Sequence, residues 1–423
     1  MNQAVLTFLP ALLLLAQVTA RADDLAPTVT KLVRQLDASE KTRREDAEQQ
    51  LLKLGPAVLP LLPSAEDGSA EVKLRLARVR TQLETLRGEQ EVKASELTLS
   101  GTAIPLSEVI AAIEKQTGNK LVDFRRDFGQ QPDKKTFDLT FDKTPFWSAF
   151  DQILDQGGLT IYSYAGVPGL ALVNRSGNEL PRHDRGIYTG AFRVEATEVS
   201  AKRDLRDATG QALKLDVEVG WEPRLAPIAI TQAAESVTAI GDNNEKLGAA
   251  PNGEFEATVN PGDATASMPL TFSLPSRDMK KITSLKGSFS VMLPGQVETF
   301  RFEKLTSGAP IEQRKGAVKV ILEQARKNND IWEIRVRVVF DSPGKALESH
   351  RTWILHNEAA LETPGKESIN FAGLETTRQA DNEVGVAYLF DVPDIADHTF
   401  IYKTPTVLMN AAVPYELHDV ALP

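Results

Sequence analysis

One segment of this chain contains a copy of itself, and the copy limits what residues 97–174 can fold into. The run from Pro105 to Gly118 (PLSEVIAAIEKQTG) returns forty residues later from Pro145 to Gly158 (PFWSAFDQILDQGG). At that one offset Leu106 falls on Phe146, Ile110 on Phe150, Ile113 on Ile153, Gln116 on Gln156 and Gly118 on Gly158. Each copy has Pro in its first turn, apolar residues three and four apart and a closing Gly, which together predict a helix. An extended stretch follows each, Lys120 to Phe124 and Leu159 to Tyr164. Alternation at Glu96 to Ser100 and at Thr136 to Phe141, where Phe137, Leu139 and Phe141 share a face, adds a strand before each helix. With a last strand at 169–174 the predicted order is β-α-β-β-α-β-β, two helices over one face of a small mixed sheet. The repeat occurs twice and stops, so it is the pseudo-symmetry of one domain and not a solenoid period. Ile110, Ile113, Phe150 and Ile153 are its expected core.

The order and wording of this segment resemble the short N-terminal domain of secretins and TonB-dependent receptors (STN, or N0). In that family a strand precedes a Pro-Leu-x-x-Val/Leu-Ile-x-x-Ile-x-x-Gln-Thr-Gly helix, here Pro105 to Gly118. An alternating strand, here Phe137 to Phe141, then leads into Thr-Pro-Phe/Leu-x-x-Ala-Leu/Phe-x-x-Ile/Leu-Leu-x-x-x-Gly-Leu, here Thr144 to Leu159. The resemblance implies a periplasmic docking module that relays contacts between an outer-membrane machine and an inner-membrane partner, with no catalytic residues. Secretins and TonB receptors continue into ring domains or a many-stranded barrel, and neither pattern follows residue 176.

Before this module, residues 23–92 are helical by pattern. Val29, Leu32, Val33 and Leu36 mark one face, and Ala47, Leu51 and Leu54 another, closed by Gly55-Pro56. A long helix follows, with Val72, Leu76, Val79, Leu83 and Leu86 on one side. The run Arg-x-x-Ala-x-x-x-Leu-x-x-Leu-Gly-x-Ala-x-x-Pro-Leu-Leu from Arg44 to Leu62, with Asp67-x-x-x-Glu71-Val72 after it, resembles one and a half HEAT-type repeats. So few repeats need a neighbour to bury their faces.

From about Arg182 onward the pattern is β, with turns every eight to fifteen residues. Expected strands include Tyr188 to Glu198, Ala212 to Trp221, Leu285 to Met292 and Glu298 to Phe302. After a linker at Thr306 to Pro310, Ala317 to Gln324, Trp332 to Phe340, Arg351 to His356, Glu383 to Val392, His398 to Lys403 and Tyr415 to Val420 follow. Half-polar alternation in series predicts two antiparallel β-sandwiches, 183–305 and 311–423. The second resembles, by architecture alone, Ig-like exported domains. The expected fold class is therefore multidomain α + β: a helical HEAT-like segment at 23–92, an STN-like α+β domain at 95–176 and two β-sandwiches.

Export is expected from the N-terminus. Ala4 to Val18 is an apolar run and Ala20-Arg21-Ala22 a small-x-small cleavage site, so residues 1–22 are expected to be a signal peptide. Losing Arg21 takes the formal charge from −10 to −11, an acidic balance ill-suited to sequence-independent nucleic-acid binding. No later apolar run approaches eighteen residues, so no transmembrane segment is expected in the mature chain. The absence of Cys rules out a disulfide framework and a lipidated-Cys anchor.

No motif for catalysis, cofactor or metal stands out. His350 and His356, six apart on an expected strand, would lie about 20 Å from each other and share no ion. Asp242 to Glu245, Asn328 to Asp330 and Asp381 to Glu383 are oxygen-rich but lack calcium-loop spacing, and they suit turns. Arg125, Arg126, Lys134 and Lys135 bracket the loop between the two halves of the repeat, either as a solvated loop or as a rim for an acidic partner. Of Phe146 and Trp147, which open the second helix, one is expected in the core and the other, Trp147 foremost, as an exposed docking residue. The expected function is that of an exported, non-enzymatic binding or scaffold protein of a Gram-negative-type envelope, in the periplasm or at the surface. Its expected partner is an envelope protein. The alternatives are a surface protein that binds carbohydrate or peptidoglycan through aromatic residues, and a hydrolase with a site assembled from distant residues. Expressed in a Gram-negative host, the exported chain should begin at Asp23 by intact mass; a chain that keeps Met1 would count against the signal.

Overall fold

The computed structural model describes residues 25–63, 68–207, 210–248, 253–257, 259–260, 262–341, 343–365 and 367–423. The expected signal peptide and Asp67 of the second helical motif lie outside the described residues. The chain mixes α and β structure, mostly β, in several antiparallel sheets. It divides into two compact units, one of the residues up to Arg87 with Gly295–Met409, the other of Gly88–Pro294 with Asn410–Pro423.

The first unit begins with helices: α1 at 25–35, α2 at Lys41–Lys53, a 3-10 turn at Pro56–Leu61, and α3, Ala70–Glu91, which starts here. Val29, Leu32, Ala47, Leu51, Val58, Leu76, Val79 and Leu83 are buried. The stripe on α3 ends at Leu83, because Leu86 is 42% exposed. A buried ion pair crosses between helices, with Arg75 Nη1 2.6 Å from Glu48 Oε2.

In the second unit the repeat becomes β1 (Glu96–Pro105), α4 (Leu106–Thr117), β2 (Leu121–Asp123), β3 (Thr136–Pro145), α5 (Phe146–Gly157), β4 (Leu159–Ile161) and β5 (Leu170–Asn174). β1 and β3 run antiparallel, with Glu96 opposite Pro145 and Pro105 opposite Thr136. Thr136 and Pro145 are the forty-residue copies of Glu96 and Pro105, so the pairing is the one a two-fold axis demands. The irregularities repeat as well. Ala103 and its copy Lys143 both have positive φ, 53° and 47°. Each leaves the ladder, and each backbone N–H is taken up by a side chain from the equivalent place on the other strand. Ala103 N–H donates to Asp138 Oδ1 at 2.8 Å and Lys143 N–H to Thr98 Oγ1 at 3.0 Å. Gln116 Nε2 donates to Thr98 O at 3.0 Å and its copy Gln156 to Asp138 O at 3.3 Å. The helices end at Gly118 and Gly158, both left-handed, where only Gly avoids a Cβ clash.

The expected single mixed sheet is instead a two-stranded ribbon, β1-β3, and a three-stranded sheet, β2-β5-β4, in which β2 is parallel and β4 antiparallel to β5. The bulges in the ribbon accompany the split, since each removes residues from the ladder and adds twist. Ile113, Phe150 and Ile153 are in the core as expected. Ile110 is only half-buried, and Val109 is buried in its place.

Strands β6 (Ile187–Thr189), β7 (Phe192–Arg203), β8 (Gln211–Trp221), β9 (Ala229–Ala233), β10 (Thr238–Gly241), β11 (Lys246–Gly248), β12 (Glu254–Ala257), β13 (Thr265–Phe272) and β14 (Lys281–Pro294) complete the unit. They form a four-stranded sheet, β13-β8-β7-β6, and a second sheet, β11-β10-β14-β9-β12. The rings of Phe192 and Phe289, one from each sheet, meet edge to face at 5.4 Å. The final strand, Leu408–Ala421, also pairs with β14, whereas the sequence had placed Tyr415 to Val420 in the last sandwich. Two features account for this. Gly287 leaves room for the Tyr415 ring, where a Cβ would stand 2.3 Å from ring carbon Cζ. Buried Gln232 and the Tyr415 hydroxyl satisfy each other at 2.9 Å.

The rest of the first unit comprises β15 (Val297–Phe302), β16 (Ile311–Lys315), β17 (Val318–Asn328), β18 (Ile331–Phe340), β19 (Ala359–Glu362), β20 (Ser368–Asn370), β21 (Gly373–Ala380), β22 (Glu383–Phe390) and β23 (Thr399–Pro405). The sheets β15-β23-β19-β20 and β16-β17-β18-β22-β21 are antiparallel and share one core that includes Phe300, Val320, Val336, Val386, Tyr388 and Phe400. The strand expected at Arg351 to His356 is a turn that ends in a 3-10 segment, Trp353–His356. There Arg351 N donates to Glu348 O at 2.8 Å and Leu355 N to Thr352 O at 2.9 Å, so local bonds take backbone groups a ladder would have used, and Trp353 Nε1 donates to Ala346 O at 2.7 Å. Gly287→Ala should destabilise the second unit by about 3 kcal/mol through overpacking against Tyr415. Gly248→Ala, with nothing within 4 Å of the new Cβ, should leave it within about 0.5 kcal/mol; urea unfolding measures both.

Candidate docking surface

The loop between β2 and β3 is ordered. Residues 125–129 make successive turns, with Phe128 N bonded to Phe124 O at 2.9 Å and Gln130 N to Arg125 O at 2.7 Å. The side chain of Gln130 accepts from Asn174 N at 2.7 Å, tying the loop to the end of β5. The four basic residues expected to act together are divided by their surroundings. Arg125 has a side chain 2% exposed and grips Asp123 with Nε and Nη2, both at 2.8 Å, and Asp133 with Nη1 at 2.6 Å. These bonds hold the Asp123 carboxyl below its ordinary range, with the Arg125 hydrogen bond as the main cause. Lys135 pairs with Asp133 at 2.9 Å. Arg126 and Lys134 are exposed and form no ion pair among the described residues.

The same module carries a ladder of four rings. Phe124 stacks on Tyr162 at 6.0 Å, Phe128 tilts onto Tyr162 at 4.8 Å, and Tyr162 meets Tyr164 edge to face at 6.0 Å. Tyr164 is 86% and Phe128 45% exposed. Phe124 and Phe128 both reach Tyr162 because one turn separates them; Tyr162 and Tyr164 open the connection from β4 to β5. Exposed rings in a group offer stacking faces and apolar area to a ligand. The sequence shows the spacings, Phe-x-x-x-Phe and Tyr-x-Tyr, but not that the two pairs meet.

Trp147 is elsewhere. It and Phe146 are both buried, which corrects the expectation that one would stand exposed. Its indole donates to Ala191 O at 3.1 Å, so the docking it performs is internal. One turn on, fully buried Asp151 accepts from Arg182 Nε at 3.1 Å, Tyr188 Oη at 3.0 Å and Arg193 Nε at 2.5 Å. Another turn on, Asp155 accepts from the backbone N–H groups of Arg182 and His183, both at 2.8 Å, and from Arg175. Burial pushes Asp155 up, but those two N–H groups and Arg175 outweigh it and leave the carboxyl below its ordinary value. In the first copy these positions are Ser107, Ala111 and Lys115, all exposed.

A second buried carboxylate works the same way. Glu222 accepts from Ser95 N at 2.8 Å, Ser95 Oγ at 2.6 Å, Asn119 Nδ2 at 3.1 Å and Arg224 Nε at 2.6 Å. The donors around both carboxylates offset the cost of burying them, and their bonds join the repeat to the sheets that follow it.

No family model, curated protein or solved structure matches the chain. The chemistry of the surface therefore rests on its own residues. Of the expected docking residues, Arg126 and Lys134 are available to a ligand, Arg125 and Lys135 are engaged, and Trp147 is interior. His350 and His356 lie in the turn and 3-10 segment described above. Asp151→Asn should destabilise the second unit by about 3 kcal/mol, because it leaves Arg193 short of a buried counter-charge; Arg126→Ala should change stability by less than about 0.5 kcal/mol. Because the folded pKa of Asp155 is lowered, its contribution is full above pH 4 and is lost as pH falls below it. Asp155→Asn should flatten the acid limb of a stability–pH curve, and an unchanged limb would refute that role.

Proposed function

We propose that the protein is an exported, non-enzymatic binding and scaffold protein of a bacterial envelope, and that its STN-like module holds an envelope protein through the ring ladder and the loop at 124–135. The observation that carries this reading is the group of Phe124, Phe128, Tyr162 and Tyr164, two of them well exposed, on the same module as Arg126 and Lys134. Aromatic residues and Arg are the types that anchor protein interfaces. The free cations suit a partner with an acidic rim, and they add rate and salt dependence more than affinity. Phe124 and Tyr164 stand at equivalent places after the two helices, whereas the residues on the embedded face of α5 differ between the copies. In this reading the pseudo-symmetric core is scaffold, the embedded face of α5 fixes the module in its unit, and the ladder with the loop meets the partner. The helical segment resembles HEAT repeats and the two-sheet bodies suit spacer or support roles in the same protein.

A photo-crosslinking residue at Tyr164, compared with one at Leu205, which is 92% exposed, tests the proposal in intact cells. The expected result is one adduct from position 164 that disappears with Phe128→Ser and Arg126→Glu, and none from 205. Equal adducts from both positions would remove the surface from consideration. Exposed rings also favour a second reading, binding of envelope glycan by stacking on sugar faces. Sedimentation with purified sacculi separates the two: co-sedimentation that Tyr164→Ser abolishes would favour glycan over protein.

A further inference from the structure

The first unit contains a buried cation with too few partners among the described residues. Arg80, on α3, is 6% exposed. Its guanidinium has five N–H donors, and among the described residues the one hydrogen bond it makes is from Nη2 to Pro63 O at 2.8 Å. Its Nε is buried with no partner among the described residues. Glu84 and Asp341 attract it through space, but Asp341 is held by Arg314 at 2.9 Å. Burial pushes Glu84 up to about 7, so near neutrality Glu84 carries only part of a charge. A buried guanidinium without hydrogen-bonded compensation is costly, and such a group ordinarily has a partner.

Arg80 lines a cavity of about 260 Å³ between the 3-10 turn and α3 on one side and the two sheets on the other. Leu59, Pro60 and Val407 supply apolar wall. Lys315 also reaches it, but its charge is offset by Glu298 at 3.3 Å. We propose that this cavity binds a small organic carboxylate, with the anionic head on Arg80 and the apolar body against Leu59, Pro60 and Val407. A guanidinium edge presents two parallel donors that match the two oxygens of a carboxylate. One uncompensated cation suits a monoanion, whereas a phosphate dianion calls for more positive charge than the cavity holds. The volume is close to the lower end of ligand pockets, roughly 300 Å³, which fits a ligand of benzoate size. This site is independent of the docking surface, which is in the other unit.

Calorimetric titration of the full chain with benzoate, benzamide and inorganic phosphate tests it. Benzoate should bind with a Kd of about 1 mM, at least tenfold tighter than benzamide and phosphate. Arg80→Gln should weaken benzoate at least tenfold. Should that variant not fold, Lys315→Glu, on a side chain 40% exposed, should weaken it about threefold at low salt. Benzamide or phosphate binding as tightly as benzoate, or no benzoate binding at 10 mM, would overturn the proposal. So would benzoate binding that is unchanged in Arg80→Gln or, where that variant does not fold, in Lys315→Glu.

Discussion

Two carboxylates that water does not reach hold the second unit together. Asp151 on α5 and Glu222 after β8 are both fully buried, and an ionised carboxylate persists in such a place only when donors surround it. Asp151 receives its donors from Arg182, Tyr188 and Arg193, and Glu222 from Ser95, Asn119 and Arg224. Asp151, on the module, takes all its donors from the segment that follows, and Glu222, on that segment, takes Ser95 and Asn119 from the module. A module displaced by a few ångströms would leave a charge buried and unpaired. That constraint gives the module one seat, and the burial of Trp147, one turn before Asp151 on α5, goes with it.

The same constraint explains how the two copies of the repeat diverged. Positions that build the pseudo-two-fold keep their chemistry: Gln116 and Gln156 catch equivalent strand carbonyls, and Gly118 and Gly158 both end helices in the left-handed region. Ala103 and Lys143 share a backbone conformation though their side chains have nothing in common. The face of α5 that meets the next sheet has changed entirely, from Ser107, Ala111 and Lys115 to Trp147, Asp151 and Asp155. Their spacing of four is visible in the sequence. What is not visible is which neighbouring backbone and arginines lie opposite.

Charge pattern was the least dependable guide to the candidate surface. Arg125 and Arg126 are adjacent and alike in sequence, yet one is sealed between Asp123 and Asp133 while the other stands in solvent. The difference comes from the turn at 125–129, which sets Arg125 against Asp123 and Asp133 and leaves Arg126 exposed. The ring ladder was missed for a related reason, since its halves lie more than thirty residues apart and meet only when the hairpin folds beside the loop. Strand alternation fared better: β18 and part of β17 alternate in burial, as a half-buried strand must, and β22, an almost wholly buried run, also falls where it was expected. Arg351 to His356 alternates too, but the backbone N–H groups of Arg351 and Leu355 bond within the turn.

From the sequence alone came the repeat and its symmetry, the helix ends at glycine, most strands and the mixed, mainly β character of the chain. These depend on periodicity and on local conformational preference, which adjacent residues carry by themselves. Tertiary structure decided that the final strand joins β14, that the α5 face turns inward, that Arg126 and not Arg125 is available, and that Arg80 is buried with few partners among the described residues. Each of those turns on which distant group comes within hydrogen-bonding or packing distance. That is set by the space beside Gly287 and the donors around Asp151 and Glu222, and no local pattern encodes it.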